Sequence, residues 1–346
     1  MAEVESQVER PVAARAGVND REVFLRLQRG YTQLKQQIHK VVVGQDPVLD
    51  AVLCSMLAGG HCIVQGVPGL AKTLMVHAIA QALDLTFNRI QFTPDLMPSD
   101  IIGSDIIQAD PQTHKRRYEF LKGPIFANVV LADEINRTPP KTQAALLQAM
   151  QEREVTVMGR TFPLDRPFFV LATQNPIEQE GTYPLPEAAL DRFMFMAFID
   201  YPSIKEEHLI VKQTTTDQQA AVGRVVSKQD MLLFQGIVRR APISDTVIAY
   251  AIRLARATRP KDPLATDLVR RYVKWGAGPR AGQFMTLGAK ALALMHGRPS
   301  PGYGDVRAVC PLVLRHRMIT NFSAEADNVT REAILADLLE KVGEGG

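Results

Sequence analysis

Residues 66–73 of this 346-residue chain are Gly-Val-Pro-Gly-Leu-Ala-Lys-Thr, and this segment is the most informative about the fold. It fits the pattern G-x-x-x-x-[G/A]-K-[S/T], with Ala71 at a position where glycine is more usual. A short apolar run from His61 to Gln65 predicts a strand before it, and a helix is predicted from about Lys72. In that setting the loop's backbone N–H groups and the positive end of the helix form a cradle for phosphate oxygens.

The residues of this loop have distinct expected parts in binding a nucleoside triphosphate. Lys72 is placed to reach the β- and γ-phosphates, and the Thr73 hydroxyl is placed to bind Mg²⁺. A chance glycine-rich turn is the alternative, and the flanking strand and helix weigh against it. The predicted nucleotide-binding segment is Gly66, Val67, Pro68, Gly69, Leu70, Ala71, Lys72, Thr73 and Leu74.

Strands and helices are predicted to alternate downstream of the loop. Buried or half-buried strands are expected at 87–92, 127–132, 168–173 and 194–199, with a helix at 142–152. This alternation predicts an α/β fold with a mostly parallel sheet flanked by helices. Two insertions interrupt it: residues 103–123, which include a polar turn at 110–114, and residues 154–164, which alternate like a β-hairpin.

The pattern changes after Pro202. From Ser203 onward the sequence is almost wholly helical in pattern, and no buried strand run is evident. We therefore predict three parts: a flexible amino-terminal tail at 1–20, a nucleotide-binding core at 21–203, and a linker with a helical domain at 204–346.

Composition limits the class of protein. Hydrophobic residues make up 46% and charged residues 22% of the chain, and the formal net charge is +3. That charge neither requires nor excludes a nucleic-acid partner. No apolar run approaches the roughly 18 residues of a membrane span, and the three cysteines have no metal-ligand spacing. We expect a protein of the cytoplasm without membrane insertion.

Two acidic residues follow the apolar run Val129 to Ala132. Asp133 at the predicted strand end can hold the Mg²⁺ shell, and Glu134 can act as the general base that polarises the attacking water. Acidic pairs also cap strand ends without any catalytic part. The position about sixty residues after the phosphate-binding loop favours the catalytic interpretation.

Three further polar residues are candidates for catalysis, each with a structural alternative. Asn175 follows the strand predicted at 168–173 and could orient the water, or it could be a turn residue before Pro176. Arg192 could enter a neighbouring subunit's site, or it could form a surface ion pair. Arg280 begins a predicted helix and could reach the γ-phosphate, although a surface charge at a helix start is the commoner occurrence.

Taken together, these motifs resemble those of the AAA+ ATPases, and specifically the MoxR family. The similarity extends from about Phe24 to beyond Val313. Its most specific blocks are Val43-Gly44-Gln45, the loop at 66–73, Gly-Pro-Ile-Phe-Ala-Asn at 123–128, Ala-Asp-Glu-Ile-Asn-Arg at 132–137, Ala-Thr-Gln-Asn-Pro at 172–176 and Gly-Thr-Tyr-Pro-Leu-Pro-Glu-Ala at 181–188. Alanine at position 71 is usual in this family.

The resemblance implies a P-loop AAA+ core with a C-terminal helical lid domain, and it implies residue functions that spacing left open. Asn175 corresponds to sensor 1, Arg192 to the arginine finger acting in trans, and Arg280 to sensor 2. The insertions at 103–123 and 154–164 correspond to the helix-2 insert and the pre-sensor hairpin. The adenine site is implied to be lined, largely by backbone atoms, by Val42, Val43 and Gly44.

The resemblance also implies an activity and partners. We expect ATP and Mg²⁺ to bind, hydrolysis to drive chaperone-like remodelling of a client protein, and the chain to form a homo-oligomeric ring, commonly a hexamer. A trans arginine requires a neighbouring copy to complete each site. Proteins with von Willebrand factor A domains are implied as partners.

Other functions share these motifs. A magnesium-chelatase-like subunit, a nucleic-acid motor and a nucleotide-gated scaffold with little turnover are the alternatives. The predicted hairpin at 154–164 offers Arg160 beside Met158 and Thr161 but no basic run, which disfavours nucleic acid as the partner. Glu134 and Arg192 together favour hydrolysis over a scaffold.

Overall fold

The computed structural model describes residues 19–109, 116–177, 181–216 and 220–344. The elements up to residue 200 are α1 (Asp20–Ile38), α2 (Asp46–Leu57), β1 (Cys62–Gln65), α3 (Lys72–Ala82), β2 (Phe87–Gln91), α4 (Pro98–Ile102), β3 (Gly103–Ala109), β4 (Arg116–Lys122), β5 (Val129–Asp133), α5 (Pro140–Glu152), β6 (Glu154–Val157), β7 (Arg160–Pro163), β8 (Phe169–Gln174), α6 (Glu187–Leu190) and β9 (Phe195–Phe198). They are followed by α7 (Ile204–Thr214), α8 (Lys228–Arg240), α9 (Asp245–Ala257), α10 (Asp267–Tyr272), β10 (Val273–Trp275), α11 (Pro279–Met295), α12 (Tyr303–Leu314), β11 (Ile319–Thr320), α13 (Phe322–Ala326) and α14 (Arg331–Lys341).

The central sheet has five parallel strands in the order β2-β5-β8-β1-β9. Every residue of β5 is buried, because helices cover both faces of the sheet. The strand registers align the carboxyl ends, with Gln91 beside Asp133 and Gln65 beside Gln174. The predicted parallel α/β sheet is therefore confirmed, and the polar residues at the strand ends meet along one edge.

Both insertions form antiparallel hairpins. The segment 154–164 is a hairpin of β6 and β7, as predicted, and the insertion at 103–123 pairs β3 with β4. Its polar turn, residues 110–114, lies outside the described residues. The Phe120 and Phe162 rings stack with centroids 4.2 Å apart, and Arg160 pairs with Asp105 at 2.5 Å, so the two hairpins pack on each other.

The carboxyl-terminal region is helical with one exception. Its helices α8 to α14 bury a continuous apolar core, but Val273–Trp275 pairs with Ile319–Thr320 as a short antiparallel ribbon. The sequence did not predict this ribbon, because strands of two and three residues are too short to give an alternating pattern. The lid fold that the sequence predicts is otherwise present.

The first helix packs against both the nucleotide-binding core and the helical region. Gly30 in α1 approaches Val226 and Phe234 so closely that an added Cβ would lie 3.0 Å from Val226 Cγ2. α1 begins at Asp20, after an Asn19 cap whose side chain accepts a hydrogen bond from Arg21 N. Residues 1–18 of the predicted tail lie outside the described residues, and the predicted boundary near residue 203 stays a prediction.

The start of α2 is held against the end of α1. The helix begins at Asp46, after Gln45, the cap residue, which has φ 62°. The Asp46 carboxylate pairs with Lys35 at 2.6 Å and His39 at 3.3 Å, both at the end of α1. Among the described residues, none of the helices combines the length and apolar character that a membrane crossing requires.

Candidate active site

The loop between β1 and α3 is shaped by two glycines. Gly66 N donates to Gln174 O at 3.2 Å, and a Cβ on Gly66 would lie 2.6 Å from Ile199 O, so no larger residue fits against this neighbouring backbone. Gly69 has φ +86°, which is favourable only for glycine. These constraints explain why glycine stands at both positions of this chain.

Ala71 is the unusual residue of the loop. It adopts the left-handed conformation, φ 56° and ψ 23°, as the residue before the first turn of α3. Glycine is common here in the general motif because this conformation is unfavourable for residues with a Cβ. The strained turn directs the first N–H groups of α3 toward the cleft, where the helix dipole favours an anion.

Lys72 folds back over the loop. Its Nζ donates to the carbonyl oxygens of Gly66 at 2.6 Å and Val67 at 3.0 Å. Burial lowers the pKa of Lys72, while the nearby charges of Asp133 and Glu134 raise it. The ammonium group therefore lies between the loop and the acidic strand end, where phosphate oxygens would be received.

A cleft brings the predicted residues together. It is lined by Pro68, Gly69, Leu70, Ala71, Lys72, Thr73, Leu74, Arg89, Asp133, Glu134, Thr173 and Asn175. Two of these, Arg89 and Thr173, were not singled out from the sequence. Thr173 could have been found from its position near the end of β8, whereas Arg89 lies in the middle of β2 and reaches the cleft through the pairing of β2 with β5.

Asp133 is buried and has a partner on each side. Its Oδ1 accepts from Thr173 Oγ1 at 2.6 Å, and its Oδ2 accepts from Arg89 Nη2 at 2.6 Å and Nε at 3.1 Å. β5 lies between β2 and β8, so both partners come from adjacent strands. The carboxylate and the Thr73 hydroxyl are oxygen donors of the kind that Mg²⁺ prefers, so the donor set fits this ion.

Glu134 has a strained backbone and a restrained side chain. It adopts φ 57° and ψ 48°, and its N–H donates to Thr173 Oγ1 at 2.9 Å. Its Oε2 accepts from Gln91 Nε2 at 2.9 Å and from Arg137 Nη1 at 3.0 Å. Strain held in this way by surrounding hydrogen bonds is common at catalytic positions.

Asn175 is buried at the end of β8 and lines the cleft. Its Oδ1 accepts from Ile177 N at 3.1 Å, which is the turn contact expected before Pro176. Its Nδ2 donates to no other residue in the described part of the chain. The oxygen of Asn175 therefore stabilises the turn, and a function of the amide N–H₂ in orienting water stays a prediction.

The segment predicted to hold adenine lies against residues 200–206. Val42 is buried, Gly44 has φ +68°, and a Cβ on Gly44 would lie 2.3 Å from Glu206 Oε1. Gln45 Nε2 donates to Asp200 O at 2.8 Å. Glycine is favoured at position 44 by its positive φ, and the Glu206 side chain of α7 packs directly against it. Adenine binding by Val42, Val43 and Gly44 stays a prediction.

The two candidate arginines do not line this cleft. The Arg192 side chain forms no hydrogen bond or ion pair with any residue that the structure describes. Arg280, near the start of α11, donates from Nη1 to Asp191 Oδ2 at 2.6 Å. The structure thus places Arg280 beside the residue that precedes Arg192 rather than beside Lys72.

A phosphate-binding loop after β1, an acidic pair after β5 and this strand order together define a P-loop nucleoside triphosphatase. A family model described as "ATPase family associated with various cellular activities (AAA)" matches residues 61–195, and one described as "AAA lid domain" matches residues 265–338. Both the loop and the acidic pair lie within the first match, and Arg280 lies within the second.

Individual relatives define the family more narrowly. The chain is 43% identical over 307 residues to the chaperone MoxR1 of Mycobacterium tuberculosis, covering 88% of this chain and 80% of that protein. It is 40% identical to the uncharacterised protein YeaC of Bacillus subtilis, covering 89% and 92%. The structure of a candidate ATPase from Cytophaga hutchinsonii matches with a TM-score of 0.87 and 40% identity, covering 93% and 97%. The chain belongs to the MoxR family of AAA+ ATPases.

Proposed function

We propose that this chain binds ATP with Mg²⁺ and hydrolyses it to remodel or activate a client protein complex. The observation that carries the proposal is the cleft in which Lys72, Asp133 and Glu134 meet around the amino terminus of α3. Asp133 and Thr73 would hold Mg²⁺, which would supply positive charge opposite the phosphates. Glu134 would take the proton of the attacking water, and Asn175 would orient that water.

We further propose that the protein acts as a homo-oligomeric ring, a hexamer, in the cytoplasm. An Arg192 side chain without a partner among the described residues suits a group that acts on a neighbouring copy. Its arrival would supply the positive charge that the developing transition state requires. Arg280 would report on the bound nucleotide from the helical region.

The exposed end of the β6–β7 hairpin supports a protein client over a nucleic acid. Met158 at its turn is 83% exposed, and Arg160 is already paired with Asp105. An apolar tip without a free basic group suits contact with a polypeptide rather than with a phosphate backbone. From the family resemblance we infer that the clients include proteins with von Willebrand factor A domains.

Glu134→Gln tests the assignment of the general base. The variant should bind ATP with near wild-type affinity and lose hydrolysis by about 10²- to 10⁴-fold, as expected for loss of a general base. Nucleotide binding and phosphate release would be measured on the same preparation. Glu325→Gln, on the exposed part of α13, is the matched control and should hydrolyse normally. Turnover by Glu134→Gln at the wild-type rate would show that the base is a different group.

The ring and its clients need separate measurements. Native mass spectrometry of Glu134→Gln with Mg–ATP should give assemblies of six chains. Specific activity of the wild type should rise with protein concentration, because each site needs a neighbour. A client should be retained by Glu134→Gln with ATP and released with ADP. A monomer that is fully active at high dilution would exclude the shared site.

A further inference from the structure

Asp191 joins the segment that carries Arg192 to the helical region. Its Oδ2 accepts from Arg280 Nη1 at 2.6 Å, and its Oδ1 accepts from Arg317 Nε at 2.8 Å. Arg280 is the second residue of α11, whereas Arg317 follows the end of α12. One carboxylate thus connects two separate elements of the helical region to the residue preceding Arg192.

Arg317 is buried and holds the Asp191 segment in place through several hydrogen bonds. Its side chain is 2% exposed, and it donates to the carbonyl oxygens of Asp191 at 2.8 Å, Phe193 at 2.7 Å and Val313 at 2.5 Å. Burial lowers the pKa of Arg317 to about 10, and Asp191 opposes that shift, so the guanidinium stays charged at neutral pH. A buried cation requires a counter-ion, and Asp191 supplies it.

The two residues before Arg317 extend the attachment along β9. Arg315 Nη1 donates to Met196 O at 3.2 Å, and its guanidinium lies 4.2 Å from the centroid of the Phe198 ring. His316 Nε2 is hydrogen-bonded to Phe193 O at 3.0 Å. The backbone on both sides of Arg192 is therefore fixed to the end of α12, while the Arg192 side chain contacts no charged group among the described residues.

We propose that Asp191 is a positioning residue for Arg192. Its two ion pairs hold residues 191–193 against α11 and the end of α12, so Arg192 projects in a fixed direction and moves with the helical region. A lid that shifts on nucleotide binding would then move the arginine directed at the neighbouring copy. This inference deepens the proposed function and rests on its shared site.

Asp191→Asn is the first test, because it keeps the shape of the side chain and removes its charge. Misplacement of Arg192 should lower kcat by about 10- to 100-fold while the ATP dissociation constant stays within about twofold. Asp327→Asn is the matched control. Asp327 also accepts hydrogen bonds in the helical region, from Arg271 Nη2 and Tyr272 Oη, both at 2.9 Å, and its loss should leave kcat unchanged.

Rings assembled from two different variants distinguish a loss of Arg192 positioning from a general loss of stability. Glu134→Gln subunits keep an intact Arg192 but cannot hydrolyse ATP, whereas Asp191→Asn subunits keep an intact phosphate site. In an equal mixture, activity per Asp191→Asn subunit should recover toward about half of wild type, since half of the neighbours are competent in a head-to-tail ring. Arg317→Lys, which retains the charge but loses the fan of hydrogen bonds, should recover in the same way.

An Arg192→Ala and Glu134→Gln mixture serves as the reference. Asp191 does not position Arg192 if this reference mixture recovers activity and the Asp191→Asn mixture does not. The same conclusion holds if Asp191→Asn alone keeps full kcat. If the Arg192→Ala mixture also stays inactive, the shared site itself is wrong, and the inference is lost with it.

Discussion

Arg89 donates two hydrogen bonds to the same oxygen of Asp133, from Nη2 at 2.6 Å and Nε at 3.1 Å. The carboxylate predicted to bind Mg²⁺ is therefore also the partner of a guanidinium from the adjacent strand. Asp133 is largely buried, whereas Arg89 is about half exposed. Arg89 is thus the charged partner of a buried carboxylate, and its own side chain is open enough to solvent to move aside.

Arg89→Ala removes the charged partner of Asp133 and tests how far the stability of the fold depends on it. Without Mg–ATP the variant should lose about 1–3 kcal/mol of unfolding free energy, because a buried acceptor loses its charged donor. The rise in melting temperature on adding Mg–ATP should be larger than in wild type, since the metal replaces the missing charge. Arg224→Ala, which removes an exposed pair with Asp84, should change neither quantity. A rise no larger than in wild type would show that Mg–ATP does not replace the charge of Arg89 at Asp133.

Thr173 links the two acidic residues. Its hydroxyl donates to Asp133 Oδ1 and accepts from Glu134 N, so it orients both groups. Thr173→Val should cost about 1–3 kcal/mol of stability, because buried polar groups lose their partner. It should also lower kcat by about tenfold or more through misplacement of the base. Thr173→Ser keeps the hydroxyl and should stay near wild type. Equal losses in the two variants would show that the hydroxyl is not what orients the two groups.

The left-handed conformation of Ala71 predicts a stabilising substitution. Ala71→Gly should raise the unfolding free energy by about 0.5–1 kcal/mol, because relief of strain exceeds the added chain entropy of glycine. Urea unfolding without nucleotide would measure the change. Ala144→Gly, on the exposed face of α5, should have the opposite sign, with a loss of about 0.5–1 kcal/mol. Destabilisation by both substitutions would show that the loop is not strained at Ala71.

Two buried histidines predict loss of stability in acid. His61 Nδ1 accepts from Val170 N at 3.0 Å, its Nε2 faces Met150 O, and burial lowers its pKa from 6.5 to about 4. His316 is buried as well, and its pKa is also lowered. As pH falls below 6.5 the unfolded chain takes up the proton before the folded chain does. Stability is therefore complete above that pH and is lost as pH falls toward 4.

The contribution of His61 can be isolated with a variant. At pH 5 the proton uptake should cost about 2 kcal/mol of unfolding free energy for this residue. His61→Gln removes that group, so unfolding curves at pH 7 and pH 5 should differ less than in wild type. His208→Gln, on exposed α7, should leave the wild-type difference unchanged. An equal acid loss in His61→Gln would assign the effect to other groups.

From the sequence we predicted the alternating strands and helices of the fold and the parts of the site that lie within one short segment. Buried strands such as Val129–Asp133 are continuous apolar runs, and a loop such as 66–73 needs its glycines for steric reasons within a few residues. Strand ends shifted by one or two residues, because apolar runs do not mark where ladder hydrogen bonds stop. The β10–β11 ribbon was missed because it depends on pairing between distant segments.

The sequence could not assign Arg89, Gln91 or Asp191, because each of them contacts residues that are distant from it in the sequence. Arg89 and Gln91 contact Asp133 and Glu134 only because β2 pairs with β5 in a particular register. Asp191 is significant only because α11 and the end of α12 converge on it. The sequence shows which side chain stands at a position, but the topology of the fold determines which residues that side chain contacts.

The phosphate-binding loop, the acidic pair and the family can all be assigned from the amino-acid sequence, since those depend on residue types at short, fixed spacings. The tertiary structure sets which charges meet. It paired Arg89 with Asp133, separated Arg280 from the cleft of its own chain, and attached the Arg192 segment to the helical region. Ion pairs form between groups within a few ångströms, and only the packed fold brings to that distance residues that lie 44 positions apart, as Arg89 and Asp133 do, or 126 apart, as Arg317 and Asp191 do.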